Sequence, residues 1–215
     1  MIRHGNDGRR ATGVFSWDCP SPMTFRENLS EEGMLFYQLI HVGREIIGLV
    51  WSSGGGKPMI ERIFLPVSKR KMADQIRLCF PQVLNMPRRI PDDLDEMISG
   101  LYEGDPIRFD LSSLNWSGLS GFSVKVLKQA SRIPRGRVLT YSRLAAKAGF
   151  PRAARAVGHV MAQNPFPLVI PCHRVIRAGG GLGKFGGGAE MKKRLLVKEG
   201  IPIDRKGRVP SSYID

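Results

Sequence analysis

The stretch that most constrains this chain runs from residue 165 to 176, Pro-Phe-Pro-Leu-Val-Ile-Pro-Cys-His-Arg-Val-Ile. Prolines fence a short apolar run, Leu168-Val169-Ile170, that delivers a single thiol, Cys172, with His173 and Arg174 directly behind it. Pro171 biases Ile170 toward an extended backbone and offers no N–H to a strand ladder, so the run is expected to end at the thiol. A basic side chain beside a cysteine favours the thiolate, the nucleophilic form. The dipeptide alone says little. Free cysteine is among the residue types most often buried, and structural zinc needs about four ligands at recognisable spacings.

Length and charge narrow the reading. The 215 residues suffice for two small domains or one large one. No apolar run approaches the roughly 20 residues of a membrane span, and the first residues lack a secretory leader's core, so neither membrane nor export is expected. Cys19, Cys79 and Cys172 are odd in number and far apart, which fits a reducing compartment and no disulfide framework. Lys and Arg number 33 against 19 acids. From Leu119 onward there are 19 basic residues and 4 acids, so nearly all the excess lies in the half that holds Cys172. That asymmetry points to a polyanionic partner.

Residues 1–30 are polar and Gly/Arg-rich and are expected to be only partly ordered. Residues 34–67 read as β structure, with strands at 46–51 and 59–65 around a Ser-Ser-Gly-Gly-Gly-Lys-Pro hairpin loop. A helix is expected at 69–80, and another at 91–103, where Pro91 suits the first turn and Gly104 the end. Residues 107–111 look strand-like, and a turn-rich link follows at 112–120. Domains are therefore expected at 31–115 and 116–204, with 205–215 as a tail.

The second half reads as mainly helical. Phe122, Val126, Leu127 and Ala130 stripe one helix; Thr140 caps another at 141–148, ended by Gly149; Pro151 opens a third at 151–163. The last two make a helix-turn-helix candidate. On the wheel of the third, Ala153, Val157, Val160 and Met161 share one side, and Arg152, Arg155, Ala156, His159 and Ala162 the other. Small residues let a helix backbone approach a nucleic-acid groove while arginines reach phosphates or bases. Glycines at 179–181, 183 and 186–188 exclude regular structure after the thiol, and a basic helix is expected at 189–198.

Several of these segments together resemble the O6-alkylguanine-DNA alkyltransferases. Pro-Cys-His-Arg-Val-Ile at 171–176 is similar to their active-site motif. Val-Leu-Thr-Tyr-Ser-Arg-Leu-Ala at 138–145 and Ala-Ala-Arg-Ala-Val-Gly at 153–158 are similar to their first motif helix and recognition helix. Asn164-Pro165 and Leu-Leu-Val-Lys-Glu-Gly at 195–200 lie at the family's distances on either side of the thiol. The match covers residues 119–200; the first 118 match only in size and in the order of hairpin and helix.

The resemblance implies an α+β fold, with a ribonuclease-H-like N-terminal domain followed by a mainly helical DNA-binding domain carrying the helix-turn-helix. It implies minor-groove binding of duplex DNA, extrusion of an O6-alkylguanine, and irreversible transfer of the alkyl group to Cys172 by a monomer without a cofactor. His173, oriented by Glu199, would take the thiol proton, and Asn164 would brace the site. Tyr141 would assist rotation and hydrogen-bond the base, and Arg155 would fill the vacated stack. Ser123, Ser142, Arg152, Ala153 and Ala154 would contact DNA, and Val175 and Gly187 would read the guanine edge. The cytoplasm, at the nucleoid, or the nucleus of a eukaryote would be its place. No metal is expected, because Cys19, Cys79, His4 and His41 do not match the zinc spacing of some relatives. No appended regulatory domain is expected either. The chain has Phe185-Gly186-Gly187-Gly188 where relatives often have Tyr-Ser-Gly-Gly, so preference among alkyl groups stays open. The rivals are a binding module that only flags lesions, whose members lack the cysteine, a helix-turn-helix regulator, and a Cys-His hydrolase.

Overall fold

Alternating apolar residues build the first layer. The computed structural model describes residues 34–54, 57–67, 69–83 and 88–215, so the reading of 1–30 lies outside it. Strands β1 (Met34–Val42), β2 (Glu45–Gly54) and β3 (Lys57–Phe64) form an antiparallel sheet in that order. Successive strand residues point to opposite faces. Ile47, Leu49 and Trp51 therefore enter the main core, whereas Leu35 and Val50 pack on the other face with Met72 and Ile76 of helix α1 (Lys69–Cys79). α1 lies close because β2 offers Gly48 there; a Cβ on it would sit 2.5 Å from Met72 Sδ.

Helix α2 (Leu94–Glu103) covers the main-core side through Leu94, Ile98 and Tyr102. It begins three residues later than its composition suggests. Asp92 and Asp93 hold left-handed backbone at φ 63° and 52°, and Arg89 gathers Asp93, Asp95 and Glu96 at 3.1, 3.0 and 2.8 Å. Gly104 closes the helix at φ 90°, as expected of a glycine there. Residues 107–111 are not a strand. They run as irregular chain into the short 3-10 turn Leu111–Ser113, after which Asn115 N–H donates to the Ile60 carbonyl at 2.9 Å. The edge of β3 is thus covered rather than exposed.

The second half consists of helices α3 (Gly121–Ala130), α4 (Tyr141–Lys147), α5 (Ala154–Ala162) and α6 (Gly188–Lys198). Strands β4 (Leu139–Thr140) and β5 (Val175–Ile176) pair in parallel between them. Ser120 and Thr140 cap α3 and α4 by accepting from the N–H of Ser123 and Arg143. α5 starts at Ala154, not Pro151: Pro151 and Arg152 form a turn, with Arg152 at φ 77°. Burial on α5 follows the wheel, with Val157, Val160 and Met161 inside and Arg155, Ala156, His159 and Ala162 exposed.

One apolar cluster runs from Phe36 and Ile60 through Leu127 and Val157 to Cys172, so both halves of the chain share a core. The last residues pack as well. Val209 is buried, Tyr213 and Ile214 border the Val138–Ile176 cluster, and Asp215 N–H donates to the Val138 carbonyl at 3.0 Å. Cys172 is a free thiol, but Cys79 is disulfide-bonded, contrary to the expectation from cysteine spacing. No helix of the described residues is long and apolar enough to cross a membrane.

Ile60 joins the sheet to both the core and the 114–115 segment, and it is fully buried. Ile60→Ala is expected to cost about 2–5 kcal/mol in urea unfolding. Val197→Ala, at a helix position 52% exposed, is expected to stay within about 0.5 kcal/mol.

Candidate active site

The apolar run before the thiol is a turn, not a strand. Leu168 takes φ 76°, and Ile170 N–H returns to the Phe166 carbonyl at 2.8 Å. Asn164 locks that turn. Its side-chain oxygen accepts from Phe166 N–H at 3.0 Å, and its Nδ2 donates to the Ile170 carbonyl at 2.9 Å. Ile63 N–H of β3 donates to the Pro165 carbonyl at 2.9 Å, tying the turn to the sheet edge. The chain then makes one 3-10 turn, Cys172–Arg174, and enters β5. Cys172 therefore stands at a fixed bend, 6% exposed.

Behind the thiol lies a buried charged cluster. His173 Nε2 and Glu199 Oε1 are 2.8 Å apart, with the two side chains 2% and 3% exposed. Arg174 grips the same carboxylate at both oxygens, Nε to Oε2 at 2.8 Å and Nη2 to Oε1 at 2.7 Å, and donates to the Ile133 carbonyl at 2.6 Å. Burial opposes the charge on Glu199, but the His173 and Arg174 contacts outweigh it and bring the carboxyl down to about 2. An ionised carboxylate only accepts, so His173 Nε2 must carry the hydrogen in their bond. Burial, the largest influence on His173, lowers its pKa and keeps the ring neutral; Glu199 opposes that in part. Nδ1 is then the lone-pair nitrogen, buried and without a hydrogen-bond partner among the described residues.

The thiol itself is pushed up by burial, against an Asn164 hydrogen bond and the Lys192 charge, which pull it down. Lys192 is fully buried, donates to the Val175 carbonyl at 2.5 Å, and is brought to about 8 chiefly by desolvation. Tyr141, at the start of α4, is raised by burial and by the Cys172 charge, and so is a neutral phenol. Its ring borders Gly158 of α5, and its hydroxyl would lie 3.2 Å from a Cβ on Gly183. Gly183 thus admits the phenol between the glycine loop and α5.

Cys172, Asn164, Gly187 and Gly186 line one cavity of about 90 Å³ with residues of β3 and the chain after it. His173 and Glu199 stand behind the thiol, and Val175 follows it in β5. Arg155 is exposed on α5 and Ser142 on α4, its Oγ 3.0 Å from Thr140 Oγ1; Arg152 occupies the turn before α5, with Ala153 and Ala154 at the helix start. Ser123 is half-buried at the start of α3, near Ser120. Two members escaped the sequence reading. Lys192 could have been found from its place in the stripe with Met191, Leu195 and Leu196, which marks an inward position. Arg174 was visible beside the thiol, but its partner lies 25 residues away and nothing local shows the pairing.

Fold and site define an α+β protein with one free thiol among the described residues, directly followed by a buried neutral histidine. Residues 121–201 match the family model described as 6-O-methylguanine DNA methyltransferase, DNA binding domain. A methylated-DNA–protein-cysteine methyltransferase of Methanothermobacter thermautotrophicus is 39% identical over 158 residues, which are 74% of this chain and 81% of that one. The protein of that name from Rattus norvegicus is 40% identical over 131 residues, 57% of this chain and 63% of its own. In structure, the Mycobacterium tuberculosis O6-methylguanine methyltransferase is similar with a TM-score of 0.58 at 26% identity, over 83% of this chain and 96% of that one. The same organism's protein in complex with DNA is similar with a TM-score of 0.59 at 27% identity, over 77% and 93%. The chain belongs to the methylated-DNA–protein-cysteine methyltransferase family.

Glu199 has a folded pKa below its ordinary 4.5, so its stabilisation is complete above 4.5 and is lost as pH falls toward 2. Glu199→Gln is expected to lose about 3–5 kcal/mol at pH 7, because Arg174 is left without its counter-charge. Urea unfolding should show parent and variant converging as pH drops from 4.5 to 2. Stability curves that stay parallel through that window would contradict the assignment.

Proposed function

We propose that this protein repairs DNA by taking an alkyl group from the O6 of guanine onto Cys172, once per molecule. The observation that carries the reading is the free thiol lining a cavity, beside a neutral histidine whose other nitrogen is held by a carboxylate. A base inside the duplex cannot present its O6 substituent to a buried sulfur, so the nucleotide must swing out, at a cost of a few kcal/mol. In this reading the exposed arginine of α5, Arg155, takes the vacated place. Tyr141 guides the rotation, and Val175 and Gly187 recognise the guanine edge. Arg152, Ala153, Ala154, Ser142 and Ser123 meet the minor-groove backbone.

The chemistry follows from the protonation states. His173 Nδ1 accepts the thiol proton by way of water, and Glu199 stabilises the imidazolium that results. Lys192 and Asn164 favour the thiolate. The sulfur attacks the alkyl carbon, the C–S bond forms, and the C–O6 bond breaks with its electron pair going to guanine. The neutral Tyr141 phenol donates as charge builds on the leaving purine. The product is a thioether, which no neighbouring group hydrolyses, so the thiol is spent.

Finer points belong to the same reading. The three-stranded antiparallel sheet with α1 against it supports a ribonuclease-H-like N-terminal domain at 31–115. α4 and α5, joined by residues 148–153 and packed together, support a helix-turn-helix within 116–204, with 205–215 as an appended C-terminal segment. We take the active form to be a monomer and its location to be wherever DNA is kept, the cytoplasm or a nucleus.

Duplex DNA bearing O6-methylguanine should lose one methyl per protein molecule, and Cys172→Ser should lose none from the DNA. Arg155→Ala should slow repair in duplex by about tenfold or more while leaving reaction with free O6-benzylguanine within about twofold, since one bidentate or stacking arginine is worth about 1–3 kcal/mol. Equal losses on both substrates would remove the role given to Arg155.

A further inference from the structure

The cavity does not stop at the sulfur. It continues from Cys172 past Pro167 and the backbone of Gly186 and Gly187 to β3, where Arg62 and Phe64 form part of its wall. Apolar groups dominate that wall, yet it contains a guanidinium. Arg62 lies 5.5 Å from the Phe64 ring centroid and makes no ion pair or side-chain hydrogen bond among the described residues. Desolvation alone lowers its pKa, with no acidic neighbour acting on it. No Asp or Glu is among the described lining residues. The adjacent Glu61 is engaged elsewhere, accepting from Ser52 Oγ at 2.6 Å and Asn115 Nδ2 at 2.7 Å. A desolvated cation without a counter-charge is unfavourable, and alkyl transfer as described above makes no use of it.

We propose that Arg62 is a specificity residue, and that the cavity selects O6-guanine adducts whose alkyl group ends in a carboxylate, such as O6-carboxymethylguanine. The inference rests on the alkyl-transfer reading and adds the substrate class. An adduct on O6 directs its carbon at the sulfur and the rest of its chain into the space beyond. A small cavity of about 90 Å³ suits a short chain. A carboxylate is the terminus that a guanidinium matches with two parallel hydrogen bonds. Moving such an anion into an apolar cavity without a partner would be strongly unfavourable, so the arginine decides whether it enters.

The transfer step is the same as for methyl. Cys172 thiolate attacks the methylene carbon, the C–S bond forms, and the C–O6 bond breaks with its electron pair retained by guanine, which takes up a proton at N1. The product, a carboxymethyl thioether on Cys172, keeps its negative charge opposite Arg62.

The experiment measures second-order transfer rates from three duplexes carrying O6-methylguanine, O6-carboxymethylguanine or its neutral carbamoylmethyl isostere. Parent, Arg62→Met and Arg62→Lys proteins are compared. Arg62→Met should slow the carboxymethyl reaction tenfold or more and leave the methyl and carbamoylmethyl rates within about twofold. Arg62→Lys should keep most of the carboxymethyl rate. The methyl arm reports that each variant is folded and active. A parent that fails on methyl would overturn alkyl transfer itself. Normal methyl transfer with a carboxymethyl rate indifferent to Arg62→Met, or with all three rates falling together, would overturn the role of Arg62 alone.

Discussion

One buried carboxylate organises the candidate site. Glu199 receives the Nε2 hydrogen of His173 and both arms of the Arg174 guanidinium. Three donors on one desolvated anion offset the cost of burying it, and each donor is fixed in turn by the others. The outcome is a neutral imidazole with one defined tautomer, sitting one residue from the thiol in a single 3-10 turn. Without Glu199, both the ring orientation and the proton position would be free to change. Arg174 would also be a buried cation with only the Ile133 carbonyl to bond.

The clamp is built from distant parts of the chain. Glu199 is placed by the end of α6, and its N–H closes that helix onto Leu195 and Leu196. Cys172 and His173 are placed by the Asn164-locked turn, which the sheet edge holds through Ile63 and Pro165. Parallel pairing of Leu139 with Val175 and Thr140 with Ile176 puts the chain after the thiol beside the start of α4, and so beside Tyr141. A small displacement of the sheet would therefore be felt at the sulfur. The N-terminal half is part of the site's support as well as part of its cavity wall.

Much of this was legible in the sequence where a local signal existed. The hairpin alternation gave β2 and β3, Thr140 gave the start of α4, and the α5 wheel sorted inward from outward residues correctly. Local rules failed where tertiary contacts override them. The apolar run 168–170 has strand composition, but Asn164 bonds Phe166 before it and Ile170 at its end and folds it into a turn with left-handed Leu168. Pro91 and Pro151 both look like helix openers, yet positive φ at Asp92, Asp93 and Arg152 delays α2 and α5 by three residues each. At the site, the thiol and the histidine behind it stood out in the proline-fenced run, whereas the role of that histidine and the distant glutamate came from motif resemblance. The grip of Arg174 on Glu199 and the burial of Lys192 are long-range pairings that spacing does not encode.

The tautomer of His173 is the most direct measure of whether this clamp exists. In ¹⁵N-labelled protein at pH 7, the His173 ring should be neutral, with a hydrogen on Nε2 and none on Nδ1. An imidazolium at that pH, or a neutral ring protonated at Nδ1, would mean that Glu199 does not hold the ring and would contradict the proposed transfer of the thiol proton to His173.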